Sequence, residues 1–289
     1  MKFTPAHFNI GTSGWSYDEW TGPVYPQGMK AAKQFDFYAR LFCTVEINSS
    51  FYNIPGGPAV TSWAKRAPEG FTFAAKLYKG ISHEAKLDPR KVRDLLQVYM
   101  DRMRPLDSRI HSYLLQLPPS FSRDDPTHFD DFCTFLDGWA RHWTPEKLVV
   151  EFRNPSWFND DTYRLLNEHE AIYCIVIEPG LPQDQVVTHP KKSYVRFHGF
   201  GTNPMFNYNF SPAELQDWSG KLKALSARID GSVHVYFNNH YSGYAVQNAQ
   251  TLMDFLDVPH PDLVKIQRQF SPQKGQTALD AFSSKINEK

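Results

Sequence analysis

The sequence predicts a single-domain α/β protein, a closed (β/α)8 TIM barrel, on three observations. Eight short apolar runs of strand length lie between residues 8 and 237. Most are followed by a stretch with helical, 3.6-residue periodicity. The runs are continuously apolar, as in Leu148-Val149-Val150 and Ile175-Val176-Ile177, rather than alternating. That pattern suits a parallel sheet covered on both faces. Eight such units in 289 residues match the length of a barrel. A doubly wound open sheet is the alternative, but no GxGxxG follows the first run.

The elements follow in order. Phe8 to Ser13 is the first strand. Ala31 to Leu41 is a helix with Phe35, Tyr38 and Phe42 on one face, and Thr44 to Asn48 is strand two. Pro58 to Arg66 is a short helix and Phe71 to Leu77 strand three. Arg90 to Met103 carries the stripe Val92, Leu95, Leu96, Tyr99, Met103. After strand four, His111 to Leu117, a helix opens at Asp125-Pro126, where Asp caps and Pro suits the first turn. Its inner face is Phe129, Phe132, Leu136 and Trp139. Lys147 to Phe152 is strand five, Asp160 to Glu168 a helix, and Ile172 to Ile177 strand six. Pro179 to Lys192 shows no helix and reads as a loop. Ser193 to His198 is strand seven. Ser211-Pro212-Ala213-Glu214 is a capping box, followed by Leu215, Trp218, Leu222, Leu225 and Ile229 at helical spacing. Ser232 to Phe237 is strand eight, and Ala245 to Leu256 the last helix, with Ala249, Leu252 and Met253 inward. The barrel domain spans 1–270, and a polar tail spans 271–289.

Charge and cysteine usage narrow the class. The 31 basic and 31 acidic residues balance, which argues against a general polyanion binder but leaves room for a local basic cleft. Cys43, Cys133 and Cys174 are far apart and form no CxxC pair, so they support neither a zinc ribbon nor a redox motif. A sparse, odd set suits a reducing cytoplasm. Met1 to Ile10 lacks a signal-peptide pattern, and no run reaches the roughly 20 apolar residues of a membrane span. The expected location is cytoplasmic, with no membrane partner.

A barrel keeps its active site at the C-terminal ends of the strands. Polar residues gather there: Glu46, Asn48, Lys76, Gln116, Glu151, Arg153, Arg196, His198 and Asn238. Glu46/Asn48, Glu151/Arg153 and Arg196/His198 are two apart, so each pair shares a face of its strand, most sensibly the lumen mouth. Lys76, Arg153 and Arg196 can clamp a phosphate or carboxylate. Glu46 and Glu151 can act as acid and base, or hold one divalent ion with His198. Trp15, Tyr17, Trp20, Phe51, Tyr52 and Trp157 can form stacking walls. Gly11 to Gly14 could cradle a phosphate, although no Lys-Ser/Thr follows. Against these stand plainer readings: a structural ion-pair mesh, a hydrogen-bonded histidine, aromatics that only close the barrel.

Six ordered motifs, Gly11-Thr12-Ser13-Gly14-Trp15-Ser16-Tyr17, Glu46-Ile47-Asn48-Ser49-Ser50-Phe51-Tyr52, Gln116-Leu117-Pro118-Pro119, Glu151-Phe152-Arg153, Arg196-Phe197-His198-Gly199 and Tyr236-Phe237-Asn238-Asn239, resemble the YecE-like family, known as domain of unknown function 72. The resemblance runs from the first strand to the last helix. It implies a TIM barrel and an intracellular protein, and it brings no established activity. Ser50 and Ser82 stand where the family often has threonine, which keeps the hydroxyl. The family's fold is similar to the xylose isomerase and endonuclease IV group, an analogy that carries no chemistry by itself. The many-ligand metal pattern of the endonucleases is missing here, so at most one ion is expected.

In the tail, Gln276, Leu279 and Phe282 resemble a sliding-clamp-binding peptide, with Ser283 in place of the second aromatic. Leu279 and Phe282 would share one face of a helical turn.

Two function classes follow. The first is a hydrolase, ahead of an isomerase, acting on an anionic, phosphate-bearing or nucleic-acid-related substrate. Its catalytic groups would be Glu46, Glu151 and His198, and Trp15, Asn48, Tyr52, Lys76, Gln116, Arg153, Arg196 and Asn238 would bind substrate. The second is a non-catalytic module that uses the same cleft for a ligand and the tail for a partner.

Overall fold

A computed structural model describes residues 7–201 and 203–270. The tail residues Gln276, Leu279 and Phe282 lie outside them. Eight parallel strands, β1 (Phe8–Thr12), β2 (Thr44–Ile47), β3 (Thr72–Lys76), β4 (Ile110–Gln116), β5 (Leu148–Glu151), β6 (Ile172–Ile177), β7 (Lys192–Phe197) and β8 (Ser232–Phe237), form one sheet in the order β1-β8-β7-β6-β5-β4-β3-β2. The protein is a nearly closed TIM barrel of one domain.

The last seam, between β1 and β2, is closed by other means than a regular ladder. Ser13 and Glu46 form an isolated parallel bridge, and the Gly14 N–H donates to the Glu46 carbonyl at 2.8 Å. Below it the Tyr38 hydroxyl accepts the Thr12 N–H and donates to the Thr44 carbonyl, each at 3.0 Å. A side chain thus takes the place of a ladder bond. A Cβ on Gly11 would sit 2.4 Å from the Thr44 carbonyl oxygen, so this seam needs glycine there. Gly11 serves barrel closure, a use its spacing from Gly14 does not announce.

The helices are α1 (Ala31–Leu41), α2 (Ser49–Tyr52), α3 (Gly57–Arg66), α4 (Pro89–Met103), α5 (Pro126–His142), α6 (Asp160–Glu168), α7 (Pro212–Ser226), α8 (Tyr244–Phe255) and α9 (Leu263–Phe270). Their starts obey local chemistry. Asp125 accepts the Thr127 N–H at 2.9 Å at the head of α5, and Ser211 with Glu214 completes the capping box of α7. The predicted stripes face the sheet: Val92, Leu96, Tyr99 and Met103 of α4, and Phe132, Leu136 and Trp139 of α5, are buried. Burial of each such side chain stabilises by about 1.5–3 kcal/mol. Ile229 is buried too, but lies beyond the end of α7. No helix joins β6 to β7, as the sequence indicates. Two helices escaped the sequence reading. α2 has only four residues, and α9 follows Pro259 and Pro261 with Ile266 as its single buried residue. Both are too short for periodicity to register. Among the described residues, no helix is long and apolar enough to cross a membrane.

A second, separate core fills the lumen: Ala74, Leu114, Val149, Ile172, Cys174, Val176, Tyr194 and Tyr236. Two residues further along their strands, the period-2 rule gives Lys76, Gln116, Glu151, Arg196 and Asn238. The lumen therefore changes from apolar to charged at one level, toward the C-terminal mouth.

Candidate active site

Arg196 of β7 is the hub. It is fully buried and reaches both sides of the barrel. Its Nε and Nη2 donate to the two oxygens of Glu46 at 3.0 and 2.7 Å, a bidentate pair. Its Nη1 donates to Glu151 Oε2 at 2.5 Å. Tyr194 adds its hydroxyl to Glu46 at 2.7 Å, and Gln116 its amide to Glu151 Oε1 at 2.7 Å. Arg153 caps the cluster: Nε donates to Glu151 Oε1 at 2.5 Å, and Nη1 to Glu178. Burial opposes charge on Glu151, but Arg153 and Arg196 outweigh it and hold its carboxyl well below the usual range. The thiol of Cys174, 3.8 Å from Glu151, is pushed well up by burial and by that carboxylate, so it is inert.

His198 sits above Arg196. Its Nε2 lies 3.0 Å from Arg153 Nη2 and 3.1 Å from Arg196 Nη1. Both guanidinium groups can only donate, so Nε2 accepts. The proton is then on Nδ1, which lies 3.0 Å from Asn238 Nδ2, so the Asn238 amide must be turned to bring its oxygen to Nδ1 as the acceptor. Burial and the two arginines push the imidazole well below its ordinary pKa. His198 is neutral, and its lone pair is occupied.

Lys76 differs from every other cation in the lumen mouth. It ends β3, is only 6% exposed, and has no carboxylate within 4 Å and no hydrogen-bond acceptor for Nζ among the described residues. The ammonium position lies 3.8 Å from the centroid of Phe51. Its own carbonyl is fixed by the hydroxyls of Ser50 at 2.7 Å and Tyr99 at 3.0 Å. Burial, then the charge of Arg196, pulls its amine down to about 7. His83, its Nδ1 2.8 Å from the Ser82 hydroxyl, is pulled down to about 4 by burial and by Lys76.

These groups open on a cleft of about 1000 Å³. Lys76, His83, Gln116, Arg153, Glu178 and Asn238 border it, with Asn48, whose Oδ1 is buried without a partner. Of the six aromatics proposed as walls, Trp15, Tyr17, Phe51 and Tyr52 line it. Trp20 and Trp157 do not. Each is fully buried, with its indole N–H donating to a carbonyl, of His240 and Phe121 respectively, at 2.7 Å. Two other rings take part. Trp63 of α3 stands edge-on to Trp15 at 5.4 Å, and Phe206, in the loop after β7, lies 5.4 Å from His198. Neither occupies a strand end, so no spacing rule pointed to them. Glu178 does follow a strand end, and the rule that found Glu46 reaches it.

The cluster does not fit a metal ion. Among the described residues, no group of three His, Cys, Asp or Glu side chains is arranged to hold one. Both Glu46 oxygens and both Glu151 oxygens already receive guanidinium protons, and the free lone pair of His198 does too.

The family model described as "Protein of unknown function DUF72" matches residues 9–275. The chain belongs to the DUF72 family. The UPF0759 protein YunF of Bacillus subtilis is 26% identical over 88% of this chain and 96% of its own length. The UPF0759 protein YecE of Escherichia coli K12 is 33% identical over 52% of this chain and 49% of its own. A crystal structure of a DUF72 protein from Thermotoga maritima superposes with a TM-score of 0.77 at 27% identity, covering 87% of this chain and all of that one. One from Enterococcus faecalis gives 0.75 at 22% identity, covering 92% and 99%, and speaks to the fold alone.

Proposed function

We propose that this DUF72 protein is an enzyme acting on a small anionic organic substrate held between the aromatic walls, and that Lys76 exchanges a proton with it. The supporting observation is a buried amine that faces the cleft with no acceptor of its own. Arg153 and Arg196 are engaged by Glu46, Glu151 and Glu178, so they add no free positive charge to the cleft. Among the described residues of the mouth, Lys76 is the cation left without a direct partner. As an ammonium it can donate hydrogen bonds to an anion; as an amine near pH 7 it takes a proton, where general-base catalysis is most effective. Glu178, raised by burial, is held as a carboxylate against Arg153 at the edge of the cleft. In this reading Glu46, Glu151 and His198 position Arg196 and Arg153 rather than move protons. Hydrolysis of a phosphate-bearing substrate would then need water activated by Lys76.

Proton NMR of the protein with a mixture of phosphorylated and carboxylated metabolites tests this. Consumption of a component, at least 100-fold slower with Lys76→Met, is expected. A component that broadens on binding and is never consumed would make the protein a binding module instead. The tail is a separate proposal: Gln276, Leu279 and Phe282 bind a sliding clamp. A peptide spanning 271–289 should bind one, and Phe282→Ala should abolish that binding.

A further inference from the structure

Resting on the reading of Lys76 as the reacting group, we infer that the substrate is an aldehyde or ketone and that Lys76 forms an imine with it. Four features converge. Lys76 lines the cleft and its Nζ has no ion-pair partner, whereas Arg153 and Arg196 each hold a carboxylate. Burial and then the neighbouring guanidinium of Arg196 disfavour the charged form of Lys76 and outweigh Glu151 and Glu46, while the Phe51 ring lies 3.8 Å from Nζ. An amine desolvated in an apolar site beside another cation is the arrangement that activates lysine toward carbonyls. The two hydroxyls on the Lys76 carbonyl fix the strand end from which the side chain projects. Trp15, Phe51 and Trp63 offer flat apolar surface, so the carbonyl compound carries a planar or apolar portion.

The step balances without a further reagent. The lone pair of the neutral Nζ amine attacks the carbonyl carbon, the carbonyl π bond breaks onto oxygen, and one amine proton passes to that oxygen to give the carbinolamine. The second amine proton leaves with the hydroxyl as water while the C=N bond forms, so one water departs and the imine remains. Nothing is oxidised or reduced.

The test is reductive trapping on the whole protein at pH 7. The probes are benzaldehyde and, separately, glyoxylate, each with cyanoborohydride, read by intact mass and peptide mapping. A single adduct on Lys76, forming at least ten times faster than on any other lysine, is expected. In parallel, acetic anhydride labelling of Lys76 is followed against pH. Half-maximal labelling near pH 7 with no preferential carbonyl adduct overturns the imine and leaves the proton-transfer reading standing. Labelling that rises only near pH 10 overturns both. Peptide mapping of the unaltered protein needs no variant, so misfolding of Lys76→Met cannot obscure the result.

Discussion

The two ends of the lumen handle buried charge in opposite ways. At the N-terminal end, His111 and His234 stack with centroids 3.9 Å apart. His111 is bonded to the hydroxyls of Tyr236 at 2.8 Å and Ser112 at 2.9 Å. Lys192 donates to the carbonyls of His111 and Glu146, both at 2.8 Å. No carboxylate lies within 4 Å of any of the three among the described residues. Burial and Lys192 push His234 down to about 3, and burial and His234 push His111 well below its ordinary value. At the C-terminal end the charges persist and are paired, with Arg196 between two carboxylates. At one end the histidines give up their protons beside Lys192, whose amine is satisfied by carbonyls; the other end keeps charge by matching it. Only the matched end opens on a cleft, and only there does a lysine lack an acceptor. Among the described charged groups of the mouth, Lys76 is the one without an ion-pair partner, and function is expected there.

The sharpest way to break this contrast is Arg196→Met. It leaves Glu46 and Glu151 buried together, and removing one partner of a buried pair costs about 3–5 kcal/mol. Thermal unfolding should show a loss of about 10 °C or more. Adding Glu46→Gln should recover part of it. A Tm within about 2 °C of the parent would mean that Glu46 and Glu151 do not need Arg196 between them.

Acid should act first on the buried histidines of both ends. A histidine whose folded pKa is depressed binds fewer protons folded than unfolded, so stability falls as pH drops below the unfolded value, about 6.5. His111, His234 and His198 all contribute in this window. Glu151, also depressed, contributes stability that is lost only at lower pH, below about 4.5. His234→Gln should therefore flatten Tm between pH 6.5 and 5 and leave the steeper loss below 4.5 in place. His234 is the residue to choose because its Nδ1 already lacks a partner. An unchanged slope between pH 6.5 and 5 would remove the N-terminal pair from the account.

The smallest effect has the opposite sign. The folded protein binds a proton at Lys76 less readily than the unfolded chain, so at pH 7 the residue costs stability. Lys76→Met should raise Tm by a few degrees at pH 7. The gain should shrink toward pH 10, where lysine approaches neutrality in both states. A fall in Tm at pH 7 would show Lys76 to be one more structural cation.

Much of this was legible beforehand because it is local. Apolar runs, caps and helical stripes mark the eight strands and the longer helices, and period 2 places Glu46 with Asn48 and Arg196 with His198. Strand ends locate the mouth. What the sequence could not determine is who meets whom. Arg196 finds Glu46 across 150 residues of chain and Glu151 across 45, which only barrel closure brings about. The same holds for the closing aromatics. Trp157 looks like a wall residue from its place after β5, yet it turns into the helix layer, while Trp63 reaches the cleft from α3. Lack of a partner is the least local property of all. That Lys76 stands alone among paired charges depends on every side chain that fails to reach it, and this the tertiary structure alone decides.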